Sequence, residues 1–155
     1  MKEIKVYCDG ACLGNGKSNA IGGWGVYSND MNMSQFGGTN IQATSNRMEL
    51  RAAISTLNWI LSNRSFNRNL PDLNKETYII ITDSQYVIKG ITSWIIKWKQ
   101  NDYLNIKNKD LWVELDQLNI RFKYCVKWQW VKGHSGNPGN EEADRLASLG
   151  CALYK

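Results

Sequence analysis

The chain has 155 residues, 43% of them hydrophobic and 21% charged, with two prolines and four cysteines. That balance excludes a disordered chain, a collagen and a disulfide-stapled miniprotein, and at this length roughly 68–70% of the unfolded surface is buried on folding. A single domain over 1–155 is expected, with a formal charge of +5 that favours anionic partners.

Ile4, Val6 and Cys8 alternate with Lys5, Tyr7 and Asp9, the period of a strand that closes at Asp9. Residues 10–20, rich in Gly, Asn and Ser, read as a loop. Strands over 21–28 and 33–40 follow as a meander turned by Asn29-Asp30. Leu50, Ala53, Ile54, Leu57, Ile60 and Leu61 recur at helical spacing, with Thr44 or Ser45 as N-cap. Residues 62–76 read as a loop or frayed helix end, and Tyr78 to Thr82 as a buried central strand. Short helices are expected over 85–99, and Leu111, Leu115 and Leu118 give 110–119 one apolar face. Phe122 to Trp130 alternates as a fifth strand. Asn137-Pro138 then supplies the cap and first-turn proline of a last helix with Ala143, Leu146 and Ala147 as its stripe. The order βββ-α-β-α-β-α predicts an α/β fold: a five-stranded mixed sheet, an antiparallel meander joined to parallel strands, with helices on both faces.

No apolar run reaches the roughly 18–20 residues that a spanning helix needs. Met1-Lys2-Glu3 leads straight into strand alternation without a signal sequence, so a cytoplasmic monomer is expected, with no membrane association and no obligatory protein partner. The cysteines form no Cys-x-x-Cys pair and His134 is the only histidine, which argues against zinc and for reduced, mostly buried thiols. The positive charge concentrates in residues 81–132, which carry nine bases and five acids. There Lys89, Lys97, Lys99, Lys107 and Lys109 interleave with Trp94, Trp98, Tyr103 and Trp112. Such a segment is either a solvated lysine face over core tryptophans or a surface that neutralises phosphates and stacks on sugars and bases.

Four acids interrupt patterns that are otherwise apolar, or end a strand. Asp9 and Asp83 end strands, Glu49 lies beside the stripe that begins at Leu50, and Asp144 sits between Ala143 and Leu146. If the first and fourth strands are parallel neighbours, Asp9 and Asp83 emerge together at their carboxyl ends, where such sheets place ligands. Packed carboxylates repel unless protonated or bound to a cation. Mg²⁺ suits them, and two such ions about 3.5–4 Å apart clamp the attacking and leaving oxygens of a phosphodiester.

Five segments occur in order: Asp9-Gly10-Ala11-Cys12-Leu13-Gly14-Asn15, Asn46-Arg47-Met48-Glu49-Leu50, Thr82-Asp83-Ser84-Gln85-Tyr86-Val87, Trp130-Val131-Lys132-Gly133-His134-Ser135-Gly136 and Asn140-Glu141-Glu142-Ala143-Asp144. Together they closely resemble type 1 ribonuclease H of the bacterial-like form, from about Lys5 to Leu149. The resemblance implies hydrolysis of the RNA strand of RNA–DNA hybrids with two Mg²⁺ ions, Mn²⁺ being a possible substitute, leaving 5′-phosphate and 3′-hydroxyl ends. It implies that Asp9, Glu49, Asp83 and Asp144 are metal ligands, with Asp9 bridging both ions, and that His134 assists proton transfer or product release. It likewise implies hybrid contacts from Asn15, Thr44, Ser45, Asn46 and Gln85, some to the 2′-hydroxyls by which RNA differs from DNA. Trp94, Lys97, Trp98, Lys99 and Lys107 match a basic protrusion that grips the DNA strand.

Ser45 stands where the commonest bacterial motif has asparagine, the 62–76 link is longer than usual, and Lys17-Ser18-Asn19 replaces a Pro/Gly-rich turn. Gly14-Asn15-Gly16-Lys17-Ser18 has the ending of a phosphate-binding loop, but Ala11 occupies the position that needs glycine and a strand pattern follows. A non-catalytic hybrid-binding module and another nuclease or strand transferase of the same fold are the rival readings. The complete acid set argues against the first, and the Trp-rich protrusion against the second.

Overall fold

The computed structural model describes residues 2–64, 76–122 and 125–155. Strands β1 (Lys2–Leu13), β2 (Ile21–Ser28) and β3 (Met33–Thr39) precede helix α1 (Ser45–Arg64) and strand β4 (Glu76–Thr82). Helix α2 (Gln85–Lys89) runs through a π turn (Gly90–Trp94) into α3 (Ile95–Gln100), followed by α4 (Lys109–Phe122), β5 (Val126–Trp130) and α5 (Pro138–Ala152). The sheet order is β3-β2-β1-β4-β5, antiparallel on the β3-β2-β1 side and parallel across β1-β4-β5. The mixed sheet expected from the element order is therefore present.

Adjacent strand residues point to opposite faces, and two neighbouring glycines show which helix covers each. A Cβ on Gly22 would strike the Met48 side chain of α1, whereas one on Gly23 would strike the backbone of Ala147, Gly150 and Cys151 in α5. Helices thus cover both faces. The main core lies on the α1 side, where Ile4, Val6, Cys8, Val26 and Ile80 meet Leu50, Ala53, Ile54 and Leu57, with Trp112, Leu115 and Phe122 of α4 closing it. On the α5 side the helix backbone lies almost directly on β2 and β3, since a Cβ on Gly150 would fall 2.0 Å from the Gly37 carbonyl oxygen.

Two expectations about strand bounds are corrected, and the short helices expected over 85–99 are present. The first strand does not close at Asp9, and 10–13 are not loop: β1 runs on to Leu13 because β2 continues to pair with it, through Gly10↔Trp24 to Leu13↔Ile21. Its parallel pairing with β4 reaches Tyr7↔Ile81, so Asp9 lies just beyond the point where the two strands part. The fifth strand does not begin at Phe122. Phe122 extends the apolar face of α4 by a further turn, is fully buried and packs edge-on against Tyr78. Residues 85–99 are helical but broken by the π turn, where Gly90 faces Trp112 so closely that a Cβ would lie 2.0 Å from the indole. Lys17 sits in a turn rather than at a helix start, its amide donating to the Gly14 carbonyl, which removes the phosphate-loop alternative. Of the 62–76 link, 62–64 complete α1, Glu76 opens β4, and the rest lies outside the described residues.

Candidate active site

Asp9 is 5% exposed and points to the α5 side of β1, the face opposite Cys8 and Gly10. Glu49 comes from α1 on the other face and needs a passage past the strand, which Gly10 provides. A Cβ there would lie 2.3 Å from the Met48 carbonyl carbon, so only glycine admits the helix this close. The Gly10 amide then donates to Glu49 Oε1 at 2.5 Å, and also to Asp9 Oδ1 at 3.0 Å. Asp83 follows the end of β4. One ligand oxygen from each of Asp9, Glu49 and Asp83 lies within 4.8 Å of the others. Asp144, four residues past Asn140 on α5, stands outside that group of three and reaches it through a hydrogen bond with Asp9.

Burial is the largest influence on both inner carboxyls. It pushes Asp9 far above the usual carboxylate range, and the charges of Glu49 and Asp83 and the hydrogen bonds to Glu49 and Asp144 push the same way. Glu49 is raised by burial and by Asp83, against hydrogen bonds from Asp9, the Gly10 amide and Ser84. The Cys8 thiol beneath them is also pushed up, by burial and then by Glu49. Carboxyls crowded so closely that they hold their protons without a counter-charge, all hard oxygen donors, fit a divalent cation of the magnesium class.

Around the acids the structure disposes the other sequence-predicted residues unevenly. Thr44 caps α1, its Oγ1 accepting from the Arg47 amide at 3.1 Å. Asn15 Oδ1 accepts from the Ser45 amide at 3.0 Å, which ties the β1–β2 loop to the helix start. Asn46 and Gln85 are exposed near Glu49 and Asp83 in sequence. His134 is exposed in a left-handed conformation at φ 54°, uncommon outside glycine, and makes no hydrogen bond among the described residues. Its neighbour Gly133 nevertheless packs on the site, since a Cβ would lie 2.7 Å from Asp83 Oδ2.

In the protrusion, Tyr86, Trp94, Trp98 and Trp112 form a closed circuit of ring contacts with centroids 5.1–6.2 Å apart. Trp112 is fully buried, while Trp94 remains 41% exposed. Trp112 thus belongs to the core, whereas Trp94 keeps the exposed ring that the surface reading requires. Lys97 and Lys107 are exposed, but Lys99 Nζ is 3.1 Å from Asp116 Oδ2 and is engaged in an ion pair. Arg47 clamps Asp110 through two hydrogen bonds of 2.9 and 2.7 Å and fastens the start of α1 to that of α4.

Sequence reasoning missed two polar residues beside the acids. Ser84 caps α2 by accepting from the Val87 amide and also hydrogen-bonds to Glu49. Asn140, 2% exposed, donates from Nδ2 to Asp83 Oδ2 at 3.3 Å. For Ser84 the adjacency to Asp83 was the available signal, whereas Asn140 meets Asp83 only in the fold.

The RNase H family model matches residues 1–152. The chain is 44% identical over 151 residues to ribonuclease H of Dichelobacter nodosus, covering 94% of this chain and 89% of that one. It is 43% identical over 162 residues to the enzyme of Ralstonia nicotianae, covering 100% and 95%. A crystal structure of a type 1 RNase H with the type 2 active-site motif superposes with a TM-score of 0.77 at 28% identity, covering all of this chain and 74% of that one. A foamy viral protease–reverse transcriptase in complex with double-stranded DNA shares the fold, with a TM-score of 0.76 at 18% identity over 97% and 94% of the two chains. The chain belongs to the RNase H family. It is accordingly a nuclease, a ribonuclease H that cleaves RNA paired with DNA.

Proposed function

We propose that this ribonuclease H hydrolyses the RNA strand endonucleolytically with two Mg²⁺ ions held by Asp9, Glu49, Asp83 and Asp144, leaving 5′-phosphate and 3′-hydroxyl ends. The observation that carries the reading is the meeting of buried Asp9 with half-buried Glu49 and Asp83, with Asp144 close enough to hydrogen-bond to Asp9, in a chain of this family. When bound, divalent ions in such a site lower the pKa of an attacking water and stabilise the departing oxygen. Asp9, which neighbours Glu49, Asp83 and Asp144, would be the ligand shared between the ions. The Gly10 amide and Ser84 hydroxyl orient Glu49, so little reorganisation is left for the reaction itself. His134, on a loop that touches Asp83 through Gly133, moves a proton or helps product leave.

Asn15, Thr44, Ser45, Asn46 and Gln85 read the minor-groove side of the hybrid. Trp94, Lys97, Trp98 and Lys107 grip the DNA strand, with Lys99 acting mainly through its pair with Asp116. The protein works as a monomer, in the cytoplasm, without an obligatory protein partner. No helix among the described residues is long and apolar enough to cross a membrane. The test is cleavage of end-labelled RNA–DNA hybrid, RNA duplex, DNA duplex and single strands, each with Mg²⁺ and with chelator. Metal-dependent cutting of hybrid RNA alone is expected, whereas equal cutting of RNA duplex would overturn the specificity.

A further inference from the structure

We propose that Asn140 is a positioning residue of the acidic site, its buried carboxamide fixing one oxygen of Asp83 so that the carboxylate presents a single orientation to the metal. The inference rests on the metal-binding role assigned to Asp83 above. Three features carry it. The side chain is held in place: Asn137 Oδ1 accepts from the Asn140 amide at 3.0 Å and fixes the first turn of α5, while Gly139 beside it packs so tightly on Tyr7 that a Cβ would lie 2.3 Å from the ring. The carboxamide has one acceptable orientation, because turning it over would set two acceptor oxygens against each other at the 3.3 Å contact with Asp83 Oδ2. Asn140 and Asp144 are four residues apart and share a face of α5. One helix face therefore supplies both a hydrogen bond to Asp83 and a carboxyl to Asp9.

Asp83 is confined from two further directions. Its main-chain carbonyl accepts from Trp130 Nε1 at 3.0 Å, and Gly133 packs against Oδ2. With Oδ2 held by Asn140, rotation of the carboxylate about its last bond is arrested. Removing a partner of this kind from a metal ligand costs about 10–100-fold in metal affinity or activity.

The full-length protein and its Asn140→Ala and Asn140→Leu variants are titrated with Mg²⁺ by calorimetry in the absence of nucleic acid. Melting temperatures and steady-state hybrid cleavage are measured on the same samples. Leucine matches asparagine in size and lacks the donor, so it separates the hydrogen bond from the space it fills. Both variants are expected to bind Mg²⁺ about ten-fold or more weakly and to lose kcat, with KM for the hybrid held within about two-fold. Unchanged Mg²⁺ affinity in either folded variant would overturn the proposal. Failure of both variants to fold would assign Asn140 to the scaffold and overturn it equally. A parent that binds no Mg²⁺ would instead remove the metal reading on which the proposal stands.

Discussion

Replacing Gly10 with alanine would drive a methyl group into the backbone of α1. The new Cβ would stand 2.3 Å from the Met48 carbonyl carbon and 2.4 Å from the Glu49 amide nitrogen, where an ordinary contact begins near 3.4 Å. Backbone atoms cannot rotate out of the way as a side chain can, so relief requires helix and strand to separate by about 1 Å. Overfilling a packed interior typically costs about 1–3 kcal/mol, which in a domain of this size lowers the melting temperature by about 2–12 °C. The same displacement draws Glu49 away from the Gly10 amide, and a 1 Å error in placing a catalytic group costs on the order of 10²-fold in rate. Thermal unfolding and single-turnover cleavage of a labelled hybrid measure the two effects together. A Gly10→Ala protein with parental melting temperature and rate would refute the claim that glycine is what admits Glu49 to the site.

Asp9→Asn should abolish cleavage while retaining hybrid binding, and in the absence of metal it should melt no lower than the parent because burial and its acidic neighbours already keep the Asp9 carboxyl uncharged there; retained Mg²⁺-dependent cleavage would contradict the four-acid reading. The raised Asp9 and Glu49 carboxyls mean that the folded chain holds more protons than the unfolded one above about pH 4. Metal-free stability should therefore decline between about pH 5 and 8, and Mg²⁺ should offset the decline; denaturant melts with chelator and with Mg²⁺ check the sign, and a rise with pH would reverse the argument. Lys97→Ala with Lys107→Ala should flatten the salt dependence of hybrid binding by up to about two units of slope. Lys99→Ala should flatten it by less than the roughly one unit that each of those lysines contributes, since its ammonium is paired with Asp116, and a loss of about one full unit would mean that the pair opens on binding.

The acid set was legible because each carboxylate breaks a pattern: Asp83 stops a β-branched run, and Asp144 intrudes beside Ala143 and Leu146. The course of β1 beyond Asp9 was not, because Gly10-Ala11-Cys12 has no alternation and is held extended by hydrogen bonds from β2 rather than by its own preferences. Phe122 misled for a related reason. Its alternation with the residues after it suggested a strand, but burial against Tyr78 selects the helical repeat shared with Leu111, Leu115 and Leu118. Lysine and tryptophan content could not separate surface rings from core rings, since that distinction lies in which ring is covered, as Trp112 is and Trp94 is not. Asn140 was invisible as a partner of Asp83 because the pair are 57 residues apart and meet only when α5 lies against the end of β4.

Helix α2 is five residues long, yet Asp83 and Ser84 stand at its entrance and Tyr86 belongs to the aromatic circuit. A piece that short has no internal hinge, so a shift of the Tyr86 ring is passed to Asp83 within about one turn of chain. On the roles proposed for the rings and for Asp83, the hold on the hybrid and the placement of the metal ligand are coupled, so substitutions that keep activity should come as matched exchanges among several rings rather than as single replacements.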